Sequence, residues 1–333
     1  MIPNTRFTEL LTDIEPSKTT KSDSSDAHVK IRSSLKTDPN WAANWEGSFL
    51  AGSYARDTAI RPKRVGDEYE RADVDIILET NFTESDDPTS VLNLLAKAAR
   101  NQDYEVERIN RRSIRVATNK AEIDLVPVFK TWDAYKITDR EIDGWTPTNP
   151  PAHTSWSGER NSDFNGRFKP LVKLFKWWRR ENRSGLRPKG FVLEVLVAKH
   201  APKTETHYGE CFAQMLESVV ASYGDMADID QKPWLEDPGM PGNDILSKVS
   251  ITNWKSFISR VKAHAAVARK AIEEEDLEEA TRLWRKLFGS RFKSTQKSAA
   301  GMSTSSFAAA PIETKSYLFP DRAVKATTPR GFA

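Results

Sequence analysis

The most informative part of the sequence reads GSYARDT at residues 52–58 and ADVDIIL at residues 72–78. The second run has the composition of a buried strand and carries carboxylates at Asp73 and Asp75. Side chains alternate along a strand, so both carboxylates project to one face while Val74 and Ile76 point to the other. Two carboxylates on one apolar strand repel each other and lose solvation unless a cation lies between them. Because oxygen ligands suit a hard cation, the sequence predicts a Mg²⁺ or Mn²⁺ site.

The first run predicts a phosphate-binding loop beside that site. Gly52 lets the backbone approach a ligand closely, and consecutive N–H groups in such a turn form an anion-binding nest. Ser53 adds a hydroxyl donor, and Arg56 or the basic residues 61–64 add positive charge. Either run alone has an ordinary explanation, such as a surface loop or a solvated edge strand. In this order, with strand-like surroundings, they indicate nucleotidyl transfer from a nucleoside triphosphate.

These residues resemble the polymerase-β-like nucleotidyltransferases, whose mark is Gly-Ser, a short spacer and Asp-x-Asp on a strand. That family keeps a third carboxylate on a neighbouring strand, and the run AEIDLVPVF at residues 121–129 offers Asp124. The resemblance implies that Asp73, Asp75 and Asp124 ligate Mg²⁺ or Mn²⁺ ions at the reaction centre. It also implies an α+β fold. A lobe with a twisted mixed sheet and flanking helices would be followed by a C-terminal helical lobe, with the active site in the cleft between them.

Composition excludes several other classes of protein. The 333 residues carry a formal net charge of +3, which gives no overall polycation signature. The single cysteine, Cys211, excludes an internal disulfide and a cysteine-rich zinc site, and the five histidines show no metal-ligand spacing. The sequence has neither a run of eighteen apolar residues nor a signal peptide. We therefore expect a cytoplasmic protein with no membrane partner.

Periodicity along the chain predicts the coarse organisation. A strand is expected over residues 45–50, and a two-residue hairpin is expected across Asn119-Lys120. In the twisted mixed sheet that the resemblance implies, this order of strands places Asp124 beside Asp73 and Asp75. A helix is expected from Ser90, capped by Thr89 or Ser90. Loops are predicted for the Ser/Thr/Asp-rich remainder of residues 1–27, for residues 132–151 and for residues 235–244. The predicted domains are a catalytic lobe at residues 1–160, a helical nucleotide-binding lobe at 161–290 and a flexible tail at 291–333.

The helical half narrows the family. It contains KLFKW at residues 173–177, GFVLE at 190–194, DP at 237–238 and ND at 243–244. With the catalytic motif, these runs resemble the cGAS/DncV-like nucleotidyltransferases (CD-NTases) and the related 2′-5′-oligoadenylate synthetases over about residues 45–290. The resemblance implies synthesis of a cyclic di- or trinucleotide second messenger from ATP or other NTPs. In bacteria, such messengers serve antiphage signalling of the CBASS type.

The same resemblance assigns nucleotide-binding roles. Gly52, Ser53 and Thr58 would shape the donor phosphate loop, and Lys176 would contact the donor triphosphate, with Lys173 beside it on the same helix. Phe191 would stack on a base, since an aromatic face is a platform that accepts any base. The residues themselves leave simpler alternatives open. The lysines also fit a solvated helix face, and Phe191 also fits core packing.

Two departures and three open questions accompany this interpretation. Asp57 stands where the family usually has glycine, and Gly190 stands where many relatives have serine.

The sequence lacks a Cys/His zinc insert, so zinc-dependent DNA sensing is not expected. The tail ending at Ala333 would permit conjugation to, or regulation by, a partner protein, but it also fits a tail with no partner. A linear 2′-5′-oligoadenylate-type or RNA-tailing transferase is a second possible function, and an inactive nucleotide- or RNA-binding module is a third.

Overall fold

The computed structural model describes residues 2–62, 64–65, 68–182 and 188–294. Its strands are β1 (Trp45–Ala51), β2 (Arg64–Val65), β3 (Glu68–Tyr69), β4 (Ala72–Thr80), β5 (Glu105–Ile109), β6 (Ile114–Ala117), β7 (Ala121–Lys130), β8 (Tyr135–Asp139), β9 (Gly144–Thr148), β10 (Glu236–Asp237) and β11 (Met240–Asp244). The main sheet has the order β1-β4-β7-β6-β5, and β8 and β9 extend it from β7. Strands β4 and β7 are parallel and the other neighbours are antiparallel, so the predicted mixed sheet is confirmed.

The helices flank this sheet and then form a lobe of their own. They are α1 (Thr5–Ile14), α2 (Lys18–Thr37), α3 (Gly52–Ala55), α4 (Pro88–Asn101), α5 (Pro150–Asp163), α6 (Phe168–Glu181), α7 (Gly190–His200), α8 (Tyr208–Asp228), α9 (Ile251–Glu273) and α10 (Leu277–Phe288). In the described ranges, no helix combines the length and apolar character needed to span a membrane.

One face of the sheet packs against helices, and the opposite face carries the carboxylates together with a small apolar cluster that includes Ile77 and Val128. Val74 and Ile76 of β4 are fully buried in a core shared with apolar residues of α2 and α4, such as Ile31 and Leu95. Because strand side chains alternate, Asp73 and Asp75 must then lie on the opposite face. The apolar residues of β4 thereby fix the direction in which its carboxylates point.

The helical lobe has a separate aromatic core. Trp178, Trp254 and Trp284 are each at most 1% exposed within it. Helix α1 packs into this same core, with the ring of Phe7 at 4.9 Å from that of Trp284. Within the described residues, the first helix thus contacts the last one, and the chain between them builds the sheet and the rest of the helical lobe. The predicted bounds of the two lobes stay a prediction.

Helix α2 corrects the loop that was expected in the Ser/Thr/Asp-rich part of residues 1–27. Its buried residues Ala27, Ile31 and Leu35 follow a helical spacing of four. The side chain of Ser17 caps the helix by accepting a hydrogen bond from the N–H of Thr20 at 3.0 Å. The apolar stripe thus begins only where the predicted loop ends. The first turns of the helix are polar, so the sequence pattern did not indicate a helix there.

The loop predicted for residues 132–151 is also wrong, because β8, β9 and the start of α5 occupy it. Pro150 and Pro151 stand in the first turn of α5, where proline removes no intrahelical hydrogen bond, and Asn149 caps the helix. Asp87, rather than Thr89 or Ser90, caps α4 by accepting from the N–H of Ser90 at 2.7 Å. Residues 235–244, expected as a loop, contain the small hairpin β10–β11.

Candidate active site

Three carboxylates from two parallel strands converge at one point of the sheet. Asp75 of β4 is paired in register with Asp124 of β7, and Asp73 lies two residues earlier on the same face. One oxygen from each of the three lies within 4.8 Å of the others. Within the described ranges, this is the one cluster of three or more acidic, histidine or cysteine side chains with that spacing. The predicted meeting of Asp73, Asp75 and Asp124 is confirmed.

The glycine of the Gly-Ser turn makes room for this cluster. Gly52 follows β1 directly and has φ +66°, a conformation that favours glycine. A Cβ atom placed on Gly52 would lie 1.8 Å from Oδ2 of Asp75. No L-residue with a side chain fits that space, so the close approach of the turn to Asp75 requires glycine.

The electrostatics of the cluster favour a bound cation. Burial raises the pKa of Asp75 to about 6, and the neighbouring charges of Asp73 and Asp124 act in the same direction. Burial also raises the pKa of Asp73, against the opposing effect of Arg115. A carboxyl group with a raised pKa lacks a sufficient counter-charge in its surroundings. The donor set is all oxygen, which matches the preference of Mg²⁺ or Mn²⁺.

A guanidinium group also lies within the cluster. Arg115 of β6 donates from Nε and Nη2 to the two carboxylate oxygens of Asp124, at 3.0 and 2.7 Å. Its Nη2 also contacts Oδ1 of Asp73 at 2.9 Å, and its Nη1 contacts Glu122 at 2.8 Å. These hydrogen bonds, led by those to Asp124, raise the pKa of Arg115 above its usual range, so the side chain stays charged.

The turn after Gly52 is held from behind by a buried carboxylate. Glu194 of α7 is completely buried and accepts hydrogen bonds from Arg56 Nε at 3.0 Å and Nη2 at 3.1 Å. Its Oε1 also accepts from Thr58 Oγ1 at 2.9 Å and from Lys176 Nζ at 2.7 Å. Although burial alone would raise it, the pKa of Glu194 lies well below its ordinary value because Lys176 and Arg56 surround the carboxylate. This network ties Arg56 and Thr58, which follow the Gly-Ser turn, to helices α6 and α7.

A cavity of about 480 Å³ opens in front of the cluster. Its lining includes Asp73, Asp75, the Gly-Ser turn and several cations of both lobes, namely Lys21, Arg56, Arg71, Lys176, Arg180 and Lys189. Phe191 forms an apolar part of the wall, with the guanidinium of Arg56 at 5.0 Å from its ring centre and the ring of His153 at 4.7 Å. The cavity can therefore receive a polyphosphate near the carboxylates and an aromatic group near Phe191.

Most of the predicted nucleotide-binding residues lie around this cavity. Gly52, Ser53, Thr58, Lys176 and Phe191 all line it. The hydroxyl of Thr58 faces Glu194, and Lys176 donates to that hydroxyl at 3.0 Å. A Cβ atom on Gly190 would lie 3.2 Å from Cε of Lys176, so glycine there leaves space for the lysine stem.

Lys173 has different surroundings. Its side chain is 1% exposed, and its ammonium group contacts Glu15 at 2.7 Å and Asp57 at 3.4 Å. Asp57, at the position where the resemblance leads one to expect glycine, has φ +53°, a conformation that favours glycine. Aspartate tolerates that region better than most residues. The predicted nucleotide contacts, including that of Lys173, stay predictions.

Two residues of the site were not predicted, although the sequence contains a signal for each. The two-residue hairpin across Asn119-Lys120 pairs Arg115 with Asp124, so that arginine must share the face of the carboxylates. Glu194 interrupts the apolar run of residues 191–198, and a charge in a buried helix needs a charged partner.

Comparisons with known proteins identify several relatives of this chain. Residues 1–161 match the family described as the Second Messenger Oligonucleotide or Dinucleotide Synthetase domain. A cyclic AMP-AMP-AMP synthase of Acinetobacter sp. is 44% identical over 337 residues, covering 100% of this chain and 98% of its own. A cyclic AMP-AMP-GMP synthase of Enterobacter hormaechei is 27% identical, covering 86% and 91%. Among solved structures, Escherichia coli CdnC in complex with HORMA-deltaN superposes with a TM-score of 0.70 at 20% identity, covering 88% of this chain and 98% of its own.

Proposed function

The chain belongs to the cGAS/DncV-like nucleotidyltransferases, the CD-NTases, which synthesise oligonucleotide second messengers, and we propose that it joins three ATP molecules into a ring. The enzyme class follows from the family. The choice of ATP and of a three-membered ring is supported by the relative that is 44% identical along the whole chain and is named for cyclic AMP-AMP-AMP. The product would act as a messenger in antiphage signalling.

Asp73, Asp75 and Asp124 would hold the divalent cation, Mg²⁺ or Mn²⁺. Their chemistry supports this assignment because three carboxylates within 4.8 Å offer only oxygen ligands, and the raised pKa of Asp75 indicates missing positive charge. When bound, such cations lower the pKa of the attacking hydroxyl group and stabilise negative charge on the transferred and leaving phosphates.

The protein's own residues would position the donor and exclude other geometries. The turn at Gly52 and Ser53 lines the cavity next to Asp75, and its backbone N–H groups would bind the triphosphate there. Lys176 and Thr58, both fixed by Glu194, keep that turn rigid and support phosphate binding from the side of the helical lobe. Phe191, in the wall of the same cavity, supports stacking of a base.

The convergence of the three carboxylates beside Gly52 carries this proposal. It is tested by incubating the purified full-length chain with radiolabelled ATP and MgCl₂, then treating the product with phosphatase. A ring resists phosphatase and has the mass of three condensed AMP units. A linear oligoadenylate keeps a phosphatase-sensitive 5′-triphosphate and would favour the linear transferase instead.

The variant Asp73→Ala/Asp75→Ala is the matched control and should yield no product. Activity that survives this double substitution would contradict the mechanism. ATP binding without any product in the unmodified protein would favour the inactive binding module. Mixed NTPs, added in the same assay, would show whether the enzyme also accepts other bases.

A protein partner is a further part of the proposal. The solved CdnC structure contains HORMA-deltaN, and this supports regulation of the present chain by an associated protein. If an associated protein activates the enzyme, its addition to the ATP assay should raise the rate of product formation. The predicted conjugation at Ala333 lies outside the described residues.

A further inference from the structure

Arg115 holds a position that a bound cation would also need. Its guanidinium group contacts both oxygens of Asp124, one oxygen of Asp73 and one of Glu122, at distances of 2.7 to 3.0 Å. Asp73 and Asp124 belong to the cluster that would bind the divalent cation. One arginine thus bridges two of the three proposed metal ligands.

The three contacts of Arg115 differ in how strongly they are fixed. Asp124 is 14% exposed and accepts two hydrogen bonds in the fork arrangement that suits a carboxylate best. Asp73 is 58% exposed and accepts a single one. The bond to Asp73 is therefore the weaker one, because water competes for an exposed carboxylate. The bond to Asp124 is held by geometry and partial burial.

The register of the sheet fixes the contact between Arg115 and Asp124. Arg115 and Asp124 are directly paired on antiparallel strands β6 and β7, so their side chains rise from one face at neighbouring positions. Glu122, two residues before Asp124, holds the guanidinium from its other side. Asp73 lies on β4, on the far side of β7 from β6. The side chain of Arg115 therefore reaches across β7 to contact Asp73.

We propose that Arg115 is a positioning residue that orients Asp124 for the reaction and releases Asp73 when a divalent cation binds. The inference rests on the proposed function, since it assumes a metal at the three carboxylates. In the free enzyme, the guanidinium group supplies the positive charge that keeps the carboxylates together. When a cation is bound, Asp73 would serve as its ligand and give up its bond to Arg115, while Arg115 would keep the forked bond to Asp124.

This arrangement predicts opposite effects on metal binding and on turnover. Arg115→Gln removes a positive charge and a competitor for Asp73, so the cluster should bind a divalent cation about tenfold more tightly or better. The same variant loses the fork that orients Asp124, so kcat at saturating metal should fall about tenfold or more. A residue with only a structural role would weaken metal binding and turnover together.

The test titrates MnCl₂ into the full-length protein and follows free Mn²⁺ by electron paramagnetic resonance, with and without a non-hydrolysable ATP analogue. The variants are Arg115→Gln, Arg115→Lys and Asp75→Asn. Arg108→Gln is the matched control, because Arg108 is an exposed arginine of β5 whose charge also acts on Asp73. It should change the Mn²⁺ affinity by less than about threefold, since exposed charges are screened.

Tighter Mn²⁺ binding by Arg115→Gln, together with its lower kcat, supports the proposal. Arg115→Lys keeps the charge without the fork, so its Mn²⁺ affinity should lie between those of the wild type and Arg115→Gln. Equal or weaker Mn²⁺ binding by both Arg115 variants overturns the proposal. If the wild type binds Mn²⁺, Asp75→Asn does not, and Arg115→Gln is unchanged, this inference fails and the proposed function stands. Absence of Mn²⁺ binding to the wild type under both conditions overturns both.

Discussion

Replacing Glu194 by glutamine tests how the loop that follows Gly52 is held in place. Glu194→Gln preserves the shape of the side chain and removes its charge. The cations Arg56 and Lys176, at 9% and 10% side-chain exposure, would then share a site without their counter-charge. Thr58 would lose its charged acceptor at 2.9 Å. The expected result is a large loss of stability, accompanied by a poorly ordered donor loop.

The structure allows the size of this loss to be worked out. Removing one partner of a buried ion pair costs about 3–5 kcal/mol of unfolding free energy, because the remaining charge stays buried without compensation. Glutamine can still accept a hydrogen bond from Arg56, so we expect a value of about 3 kcal/mol, the lower end of that range. Glu217→Gln is the matched control. Glu217 is 39% exposed and bonds Arg269 at 2.8 Å, and such a pair is worth at most about 1 kcal/mol.

The assay is urea unfolding followed by tryptophan fluorescence, at neutral pH and with identical buffers for all variants. The double variant Glu194→Gln/Lys176→Met restores the local net charge and should recover part of the lost stability, which Glu194→Gln alone cannot do. If Glu194→Gln is no more destabilising than Glu217→Gln, the loop is not held by this buried network. A double variant that is less stable than Glu194→Gln would lead to the same conclusion.

Three further predictions concern single positions. Gly52→Ala should abolish activity, because its Cβ would lie 1.8 Å from Asp75, whereas Gly158→Ala, with open space around it, should leave the activity unchanged in the ATP assay. Asp57→Ala should be less stable to urea than Asp57→Gly by about 1 kcal/mol, since only alanine is strained at φ +53°; equal stability would contradict this. Burial lowers the pKa of His200 to about 4, so the unfolded state binds a proton first and stability should fall as the pH drops from about 6.5 to about 4. Urea unfolding over that pH range should show a smaller fall in His200→Gln, and an identical fall would contradict the assignment.

Part of the site was predictable because it is local in sequence. Strand alternation placed Asp73 and Asp75 on one face, and the short hairpin paired the strand of Asp124 with β6. The parallel pairing of β4 with β7, which brings Asp124 beside Asp75, joins distant segments and was expected only from the resemblance to the nucleotidyltransferases. The need for glycine at position 52 follows from the same closeness, since the turn must pass Asp75.

The parts that could not be predicted depend on contacts between distant segments. Glu194 and Thr58 are separated by 136 positions, and no local pattern reveals that they meet. Helix α2 looks polar in its first turns because its buried apolar stripe begins only at Ala27. Helix α5 begins with two prolines, which break a helix interior but suit its first turn.

The most direct test is a crystal of the full-length protein soaked with MnCl₂ and a non-hydrolysable ATP analogue, measured at the manganese absorption edge. The account predicts an anomalous peak within coordination distance, about 2.0–2.6 Å, of oxygens of Asp73, Asp75 and Asp124, with the triphosphate against Gly52 and Ser53. A triphosphate bound elsewhere, or manganese found away from these three carboxylates, would contradict it.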